Sequence, residues 1–399
     1  MTTEGPVTAA LTATISHASG PASEPEGTKE LSHHRKDGKG FINPWPSWNM
    51  MSAPTIVWGL IKRRFNGTAN VPNTKPPTVA IRKPTFLTAR SPSQLRATWL
   101  GHACYLVEFP TGFRVLFDPV FEDRCSPFSW LGPKRYNPVP CQIDAIPTID
   151  AVIISHNHYD HLSHPTITQI KKRHPNVHFF VPLGNKKWFV EGGFHNVTEL
   201  DWWEDRDIRL SANETPQSST KVSESSTNPT KDVTATISCL PSQHMSARGL
   251  FDRASTLWAS WSITSGGKKL WFAGDTGYRG VPELPKTADD YDPQYNFPHC
   301  PAFKQIGDLR GPFDLGLIPI GAYDPRWIMS SMHANPFDSV NIFQDTRCKR
   351  ALGMHWGTWV LTEEDVLEPP RLLKEALKRK NIPEEGIFDV CELGESREF

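Results

Sequence analysis

The stretch SHNHYDHL occupies residues 155–162 and directly follows the apolar run AVII at 151–154. The apolar run predicts a buried strand, so the polar stretch begins where that strand ends. Within this stretch, six consecutive positions contain four potential metal ligands: His156, His158, Asp160 and His161. Loops at strand ends are suited to chemistry because a rigid sheet positions their side chains. The stretch therefore predicts a metal site at one edge of a sheet.

Three other predicted strands also end beside a potential metal ligand. The strands and their ligands are Val233–Leu240 with His244, Lys269–Ala273 with Asp275, and Arg350–Met354 with His355. Together with the first stretch they supply seven donors, more than the four that one tetrahedral zinc ion takes. Imidazole and carboxylate suit zinc, so the sequence predicts two zinc ions with Asp275 as their bridge. Asp118, at the end of another apolar run, is predicted to orient a ligand histidine.

The ligand types favour catalysis over a purely structural zinc pair, which is the alternative. Structural zinc sites are usually closed and rich in cysteine, whereas catalytic sites are open and often use histidine and carboxylate. The seven cysteines are scattered and form no CxxC pair, which fits reduced intracellular thiols better than disulfides. In catalytic metal pairs a shared water loses its proton near neutral pH and attacks an electrophile that both ions polarise.

The composition of the 399 residues limits the classes of partner. Lys+Arg and Asp+Glu both number 43, so the chain has no global field that would attract nucleic acid. No apolar run reaches the roughly 18–20 residues that span a bilayer, and the N-terminus lacks a signal-peptide pattern. We therefore expect an intracellular protein that meets membranes peripherally, at the cytoplasmic face of internal membranes or in a mitochondrion.

Two low-complexity segments and one irregular segment interrupt the ordered sequence. Residues 1–40 are predicted to be a disordered tail, and residues 211–231 a solvated loop insertion. Residues 279–299 contain four prolines and several acids and are predicted to be an irregular insertion. Residues 41–399 are expected to form a single catalytic domain that carries both insertions.

Short apolar strands alternate with modest helices in the rest of the chain. Thr111-Gly112 predicts a hairpin between the strands Ala97–Phe109 and Arg114–Val120. One helix is predicted to begin at the cap Asn335, and another to cover Pro370–Lys380. Strands that are apolar on both faces, mixed with hairpins, indicate sheets covered by helices. The predicted fold class is therefore α/β.

The order of the ligands, HxHxDH followed by a distant His, an Asp and a last His, resembles the metallo-β-lactamase superfamily. This resemblance implies an αββα sandwich, in which two mixed sheets pack together and helices cover both outer faces. The superfamily hydrolyses lactams, thioesters, lactones, phosphodiesters and nucleic acids. The ligand order alone therefore implies the type of reaction and not the substrate.

Longer stretches narrow the resemblance. From about Phe41 to the C-terminus, the chain is similar to the N-acylphosphatidylethanolamine-hydrolysing phospholipase D family. The stretches that carry the similarity include NPWPSW (43–48), TWLGHA (98–103), LGPKRY (131–136), ISHNHYDHL (154–162), ELDWWE (199–204), PSQH (241–244), FAGDTGY (272–278), GPFDLGLIPIGAYDPRW (311–327) and MHWGTW (354–359). The resemblance implies hydrolysis of this phospholipid to an N-acylethanolamine and phosphatidic acid.

The resemblance also implies a role for each site residue. One zinc ion would be held by His156, His158 and His244, and the other by Asp160, His161 and His355, with Asp275 as the bridge. Tyr159 and His333 match positions that contact the phosphate region of the substrate. The predicted catalytic residues are then Asp275, Asp160 and His333. His333 would either bond a phosphate oxygen or assist the leaving group.

The stretch PWPSWNMMSAPTIVWGLIKRRF at 44–65 places three tryptophans beside Lys62-Arg63-Arg64. Aromatic side chains with adjacent basic charge suit peripheral anchoring, and a long-chain lipid does not leave a bilayer unaided. The alternative is that the segment packs on the protein core. The family resemblance further implies a homodimer, and nucleic acid is not an expected partner.

Three other functions stay open at this point. A nuclease or cyclic-nucleotide phosphodiesterase on the same fold would need a basic substrate face or an added clamp domain. A lactonase or thioesterase is possible because the same hydroxide attacks carbonyl carbon. The non-enzymatic alternative is a lipid-binding protein with a decayed site, against which the complete ligand set argues.

Overall fold

The computed structural model describes residues 11–20, 23–49, 51–90, 92–212, 232–249, 251–285 and 288–399. Within these ranges the strands form two mixed sheets. In pairing order, the larger sheet contains β1 (Leu11–His17), β8 (Asp205–Ala212), β9 (Val233–Leu240), β10 (Ser260–Ser265), β11 (Lys268–Phe272), β12 (Leu315–Pro319), β13 (Ala351–Met354) and β14 (Phe388–Asp389). The smaller sheet contains β15 (Ser396–Glu398), β2 (Arg96–Gly101), β3 (Cys104–Glu108), β4 (Arg114–Phe117), β5 (Ala151–Ile153), β6 (His178–Pro182) and β7 (Val197–Leu200).

Helices cover the outer faces of both sheets. In the described ranges they are α1 (Ala53–Phe65), α2 (His164–Arg173), α3 (Lys186–Glu191), α4 (Ala302–Leu309), α5 (Arg326–Met329), α6 (Pro336–Asp345) and α7 (Glu368–Arg379), with short 3-10 turns at Thr28–Glu30 and Ile143–Ala145. Helices α2 and α3 pack on the smaller sheet, while α4, α6 and α7 lie on the larger one. The predicted αββα sandwich is confirmed.

The alternating direction of the side chains along each strand explains why the two sheets pack face to face. In β3, Tyr105 and Val107 point into the core between the sheets, whereas Leu106 points outward. The outward side chain packs with Ile167 and Ile170 of α2. Because successive side chains of a strand point to opposite faces, a strand that is apolar throughout can bury both faces.

The strand directions bring the carboxyl ends that precede the predicted ligands to one edge of the molecule. Strands β4 to β7 run parallel in the smaller sheet, and β11 to β14 run parallel in the larger one. Parallel strands place their carboxyl ends at the same edge of a sheet, where ligand sites of such folds lie. The loops after β2, β5, β9, β11 and β13 therefore reach one region of the molecule.

Most of the predicted elements are present, with one informative difference. The hairpin at Thr111-Gly112 and the helix capped by Asn335 are both confirmed; the Asn335 side chain accepts a hydrogen bond from the backbone N–H of Asp338. The helix predicted over Pro370–Lys380 is α7. The predicted single strand Ala97–Phe109 is wrong, because the chain turns at 102–103 and β2 pairs antiparallel with β3.

The predicted disordered tail, residues 1–40, is wrong for the described residues 23–40, where His33 is buried, and for the part that forms β1. This strand pairs antiparallel with β8 over its whole length, from Leu11 opposite Ala212 to His17 opposite Arg206. Its alternate residues, including Ile15, pack partly buried against the core. The prediction followed the polar composition and overlooked the period-two alternation of LTATI, which is a strand signal.

The two predicted insertions fall differently on the structure. Residues 211–212 end β8, while 213–231 lie outside the described residues. In the described parts of the irregular segment, 279–285 and 288–299, there is no helix or strand, as predicted. An isolated bridge joins Arg279 to His299, and the Arg279 guanidinium bonds the Asp338 carboxylate at 3.0 Å.

The segment 44–65 divides into a packed part and an exposed helix. Trp45 stacks on Trp202 with ring centroids 5.4 Å apart, so the alternative of core packing holds for this tryptophan. Helix α1 begins after Ser52, whose hydroxyl accepts from the Thr55 N–H, and exposes Trp58. Among the described residues, no helix combines the length and apolar character needed to cross a bilayer.

Candidate metal centre

The seven sequence-predicted ligands lie together at the edge where the strands end, in two adjoining groups. His156, His158, His244 and Asp275 place one ligand atom each within 4.8 Å of one another. Asp160, His161 and His355 do the same in a second group, which also contains His102. The two groups correspond to the two predicted ligand sets, and His102 is an additional member.

Asp275 lies between the two groups. Its Oδ2 atom is 3.8 Å from His156 Nε2 and 3.7 Å from His244 Nε2 on one side. On the other side it is 3.2 Å from His161 Nε2 and 3.0 Å from His355 Nε2. Asp275 therefore lies within reach of both groups, and its bridging role stays a prediction.

Hydrogen bonds behind the imidazoles fix which nitrogen faces the centre. Asp118 accepts from His161 Nδ1 at 2.7 Å and from the Ser155 hydroxyl at 2.5 Å. Since the Ser155 proton is directed to Asp118, its oxygen accepts from His156 Nδ1 at 2.9 Å. The Met332 carbonyl accepts from His244 Nδ1 at 3.0 Å. Each partner turns Nε2 of its ring towards the centre, where His158 Nδ1 lies 2.8 Å from His156 Nε2 and 3.3 Å from His244 Nε2. Orienting residues serve metal ligands in this way, and Asp118 orients His161 as predicted.

The two groups differ in their electrostatics. Burial holds the pKa of His156 and of His244 well below the usual range, so both rings are neutral. Burial also acts on His161 and His355, but Asp275 and neighbouring carboxylates outweigh it: the pKa of His161 lies well above its usual value and that of His355 rises to about 9. The negative charge of the carboxylates therefore favours a cation at a place that neutral imidazole donors also face.

The free polar atoms test whether metal ions fit this site. His161 Nε2, His355 Nε2 and Asp275 Oδ1 are buried. The two nitrogens lie 3.2 and 3.0 Å from Asp275 Oδ2, but none of the three atoms makes a well-directed hydrogen bond within the described part of the chain. Buried polar atoms are normally paired, so such orphans require an explanation. Divalent cations held between the two groups would satisfy all three atoms and would offset the negative charge of the carboxylates.

His102 was not among the sequence-predicted site residues. It follows β2 at the turn to β3, in a left-handed backbone conformation with φ 52°, and its Nε2 donates to Asp160 Oδ2 at 3.0 Å. Its ring centroid is 4.0 Å from that of His355. Burial lowers the pKa of His102 to about 3, which keeps it a neutral donor. Reading 97–109 as two strands would have placed His102 at a strand end, like the other donors.

The two predicted substrate-contact residues lie beside the centre. His333 Nδ1 is 3.9 Å from Asp275 Oδ2 and has no hydrogen-bond partner in the described ranges. Tyr159 lies between the predicted ligands His158 and Asp160 in the chain, and the Arg248 guanidinium stacks 3.9 Å above its ring. Arg248 also donates to the carbonyls of Asn157 and Leu162, both at 2.8 Å, and so holds the ligand loop.

A cavity of about 660 Å³ opens beside Tyr159 and Arg248. Its other walls come from residues 122–129 and 163–165, so it lies next to the ligand loop. Small-molecule sites in proteins commonly measure about 300–1,000 Å³. The cavity is large enough for part of a substrate that reaches the centre.

Comparison with known proteins places the chain in a family. Residues 113–356 match the family model described as the beta-lactamase superfamily domain. The chain is 35% identical to N-acyl-phosphatidylethanolamine-hydrolyzing phospholipase D 1 of Caenorhabditis elegans, over 92% of this chain and 94% of that protein. It is 33% identical to the mitochondrial enzyme of the same name from Saccharomyces cerevisiae, over 69% of this chain and 50% of that protein. An uncharacterized protein of Mycobacterium tuberculosis is 32% identical, over 88% of this chain and 82% of its own length.

The matched region contains all seven predicted ligands, which lie between residues 156 and 355. The similarity to the nematode protein extends over almost the full length of both chains. The chain therefore belongs to the metallo-β-lactamase superfamily and, within it, to the N-acylphosphatidylethanolamine-hydrolysing phospholipase D family.

Proposed function

We propose that this protein is a zinc-dependent phospholipase D that hydrolyses N-acylphosphatidylethanolamine to an N-acylethanolamine and phosphatidic acid. Family membership makes it a metal-dependent hydrolase of phosphodiesters; the zinc ions and the particular lipid are the proposed part. The observation that carries the proposal is the pair of donor groups that meet at Asp275. This arrangement suits a two-metal centre for phosphoryl chemistry.

The donor set supports zinc as the metal. Histidine and carboxylate without cysteine are typical of catalytic zinc sites. His156, His158 and His244 would hold one ion, and Asp160, His161 and His355 the other, with Asp275 between them. When bound, such a pair supplies an activated water near neutral pH and positive charge opposite the phosphate oxygens.

His333 is suited to hold a phosphate oxygen. Burial lowers its pKa to about 3, so the ring is neutral near pH 7. A neutral imidazole donates one hydrogen bond and carries no proton that it readily releases. Of the two roles open for His333, these properties support the hydrogen bond to phosphate over protonation of the leaving group.

Tyr159 would contact the substrate from the side of the 660 Å³ cavity. Its ring is held by stacking with Arg248, which is itself fixed by two backbone carbonyls. A side chain held in this way is pre-organised, and positioning of the substrate contributes strongly to rate. We assign the cavity to the lipid portion next to the reacting phosphate.

Membrane docking is part of the proposal because the substrate is a bilayer lipid. Helix α1 exposes Trp58 by 68% and Phe65 by 87%, and it ends with Lys62-Arg63-Arg64. The Arg63 guanidinium bonds Glu363 at 3.2 Å, which ties α1 to the loop 359–364. That loop lines a small cavity together with His102 and His355. The exposed helix therefore lies near the opening of the centre.

A second aromatic surface flanks the same loop. Trp359 donates from Nε1 to the Asp123 carbonyl at 3.1 Å and stacks under Arg135 at 4.3 Å. Between Asp123 and Arg135, the chain exposes Phe128 and Trp130, whose ring centroids are 5.6 Å apart. Exposed aromatic rings beside basic groups suit the membrane interface. We propose that α1 and this loop dock on the membrane together.

Assembly and location follow from the family resemblance and stay proposals. We propose a homodimer that works as a peripheral membrane protein inside the cell. The yeast relative is named as mitochondrial, which supports a mitochondrion as one of the two proposed locations. The cytoplasmic face of internal membranes is the other.

An isotope experiment tests the reaction directly. Purified protein would be incubated with N-acylphosphatidylethanolamine in mixed micelles made with ¹⁸O-labelled water. Attack of water on phosphorus predicts one labelled oxygen in the phosphatidic acid and none in the N-acylethanolamine. A lactone, a thioester, a cyclic nucleotide and single-stranded DNA would be assayed in parallel. Turnover of one of these with none of the phospholipid would contradict the proposal.

A further inference from the structure

A second histidine-carboxylate group lies apart from the catalytic centre, at the end of β7. His33 Nε2 is 2.7 Å from Asp201 Oδ1, and His34 Nε2 is 2.7 Å from Asp201 Oδ2. The three ligand atoms lie within 4.8 Å of one another. We propose that His33, His34 and Asp201 form a third divalent-cation site, of the type that binds zinc, which fastens the N-terminal segment to the core.

The backbone brings two neighbouring histidines to one carboxylate. In an extended chain, adjacent side chains point to opposite sides. Here residues 32–33 form a turn after Leu31, which has φ 48°, and the imidazole centroids come within 4.5 Å. Both rings can therefore present Nε2 to the two oxygens of Asp201 at once.

The chemistry of the three side chains suits a cation. Two imidazoles and a carboxylate are a known ligand set for zinc with an open fourth position. The catalytic groups of this same structure have similar separations, such as 3.0 Å between His355 Nε2 and Asp275 Oδ2. A cation among His33, His34 and Asp201 would need only a small outward movement of the rings.

The surroundings favour binding at this place. His33 is 4% exposed and its ring stacks on Trp202 at 4.3 Å, so the donor is held rigidly. A cavity of about 120 Å³ adjoins His33 and is also lined by Glu26. It has room for water, which needs about 30 Å³ in the liquid. Water can therefore complete the coordination.

The site has a structural consequence for the catalytic centre. The segment that follows His33 and His34 supplies Asn43, whose side chain donates to the His244 carbonyl at 2.8 Å. The next residues supply Ser47, whose hydroxyl bonds Gln243 at 2.5 Å. A cation at His33, His34 and Asp201 would hold this segment behind the loop that carries His244.

The zinc content of full-length variants tests the inference. Wild type, His34→Gln and Asp201→Asn would be dialysed against one zinc-buffered solution and analysed by mass spectrometry of the metal. We expect each variant to bind one equivalent less than wild type. His17→Gln, which removes an exposed histidine on β1, is the matched control and should bind as much as wild type.

The test compares the zinc content of each variant with that of wild type. Its outcome therefore does not depend on how many ions the catalytic centre holds or on the proposed substrate. Equal zinc content in wild type and in both variants would overturn the third site. Asp201→Asn keeps the shape of the side chain, so it provides a second measurement if His34→Gln does not fold. A loss of zinc in His17→Gln as large as in the variants would also overturn the inference.

Discussion

At the residue scale, the catalytic centre depends on how Asp275 is surrounded. Its Oδ2 atom lies 3.0–3.9 Å from one nitrogen of each of five histidines. Burial raises the pKa of this carboxyl, but His161 and His355 outweigh burial and hold it well below the usual range. The surroundings therefore favour the carboxylate form of Asp275, which is the form that its proposed bridging role needs.

Asp275→Asn removes this charge with little change of shape. We expect the rate of phospholipid hydrolysis to fall by more than roughly 100-fold, since even outer-shell partners of metal ligands are worth about 10–100-fold. Asp314→Asn is the matched control, because Asp314 precedes β12 and lies at the opposite end of the sheet. Steady-state rates and circular-dichroism melts would be compared. Activity of Asp275→Asn near that of the control would remove Asp275 from the mechanism.

His102 provides a second test at the residue scale. It donates to Asp160 from a neutral, buried ring, so His102→Gln should loosen Asp160 without removing a predicted ligand. We expect a fall of roughly 10- to 100-fold in kcat or in zinc affinity, as for other residues that orient ligands. His178→Gln is the control, since His178 begins β6 at the far end of the smaller sheet. Unchanged kcat and zinc affinity in His102→Gln would contradict this role.

The seven ligands could be predicted because each follows an apolar strand and offers zinc chemistry. His102 could not, because the prediction treated 97–109 as one strand and so hid the turn that presents the imidazole. The positive φ angles of His102 (52°) and His355 (60°) are also invisible in a sequence. Such strained conformations persist where the surrounding structure over-determines them, as often happens at active sites.

At the scale of elements, α1 and the loop at 128–131 form the proposed membrane-docking surface. Helix α1 has a capped start and a basic end, and it exposes Val57, Trp58, Ile61 and Phe65. A membrane-bound state would bury these side chains, at roughly 1.5–3 kcal/mol for each large apolar group. The proposed docking would account for the apolar side chains that remain exposed on a helix that contacts the rest of the protein through Arg63 and Gly59.

Replacement of the exposed aromatics on α1 tests docking. Trp58→Ser and Phe65→Ser should each weaken co-sedimentation with anionic liposomes by roughly tenfold or more, because 1.4 kcal/mol corresponds to a factor of ten. Hydrolysis of substrate in detergent micelles should change less. Val190→Ser, an exposed apolar position on α3, is the control. Liposome binding of both α1 variants equal to that of the control would exclude the docking surface.

Strand β1 lies in the segment predicted to be disordered, and its removal has a definite expected effect. Deletion of residues 1–20 would uncover the edge of β8 and remove the partly buried Leu11 and Ile15, which pack against the core. We expect the free energy of unfolding to fall by roughly 1–3 kcal/mol, and the open edge to promote self-association. Denaturant titration and light scattering would measure both effects. Unchanged stability would mean that β1 adds nothing to the sheet.

At the scale of the whole molecule, the fold brings together residues far apart in the chain. His102 and His355 are separated by more than 250 positions, yet their rings are 4.0 Å apart. The sequence predicts that ligands follow strands, because local patterns carry that information. It does not predict that β2 and β13 belong to different sheets, since strand order depends on packing between the sheets. The family resemblance supplied the sandwich that local patterns alone left open.

The most direct test of the account is turnover of N-acylphosphatidylethanolamine with its metal removed and restored. Purified protein would be assayed in mixed micelles as isolated, after treatment with a chelator, and after addition of zinc to the chelated sample. We predict N-acylethanolamine in the first sample, loss of the product in the second, and its return in the third. Undiminished product formation in the chelated sample, with zinc shown to be absent, would contradict the metal centre on which the account depends.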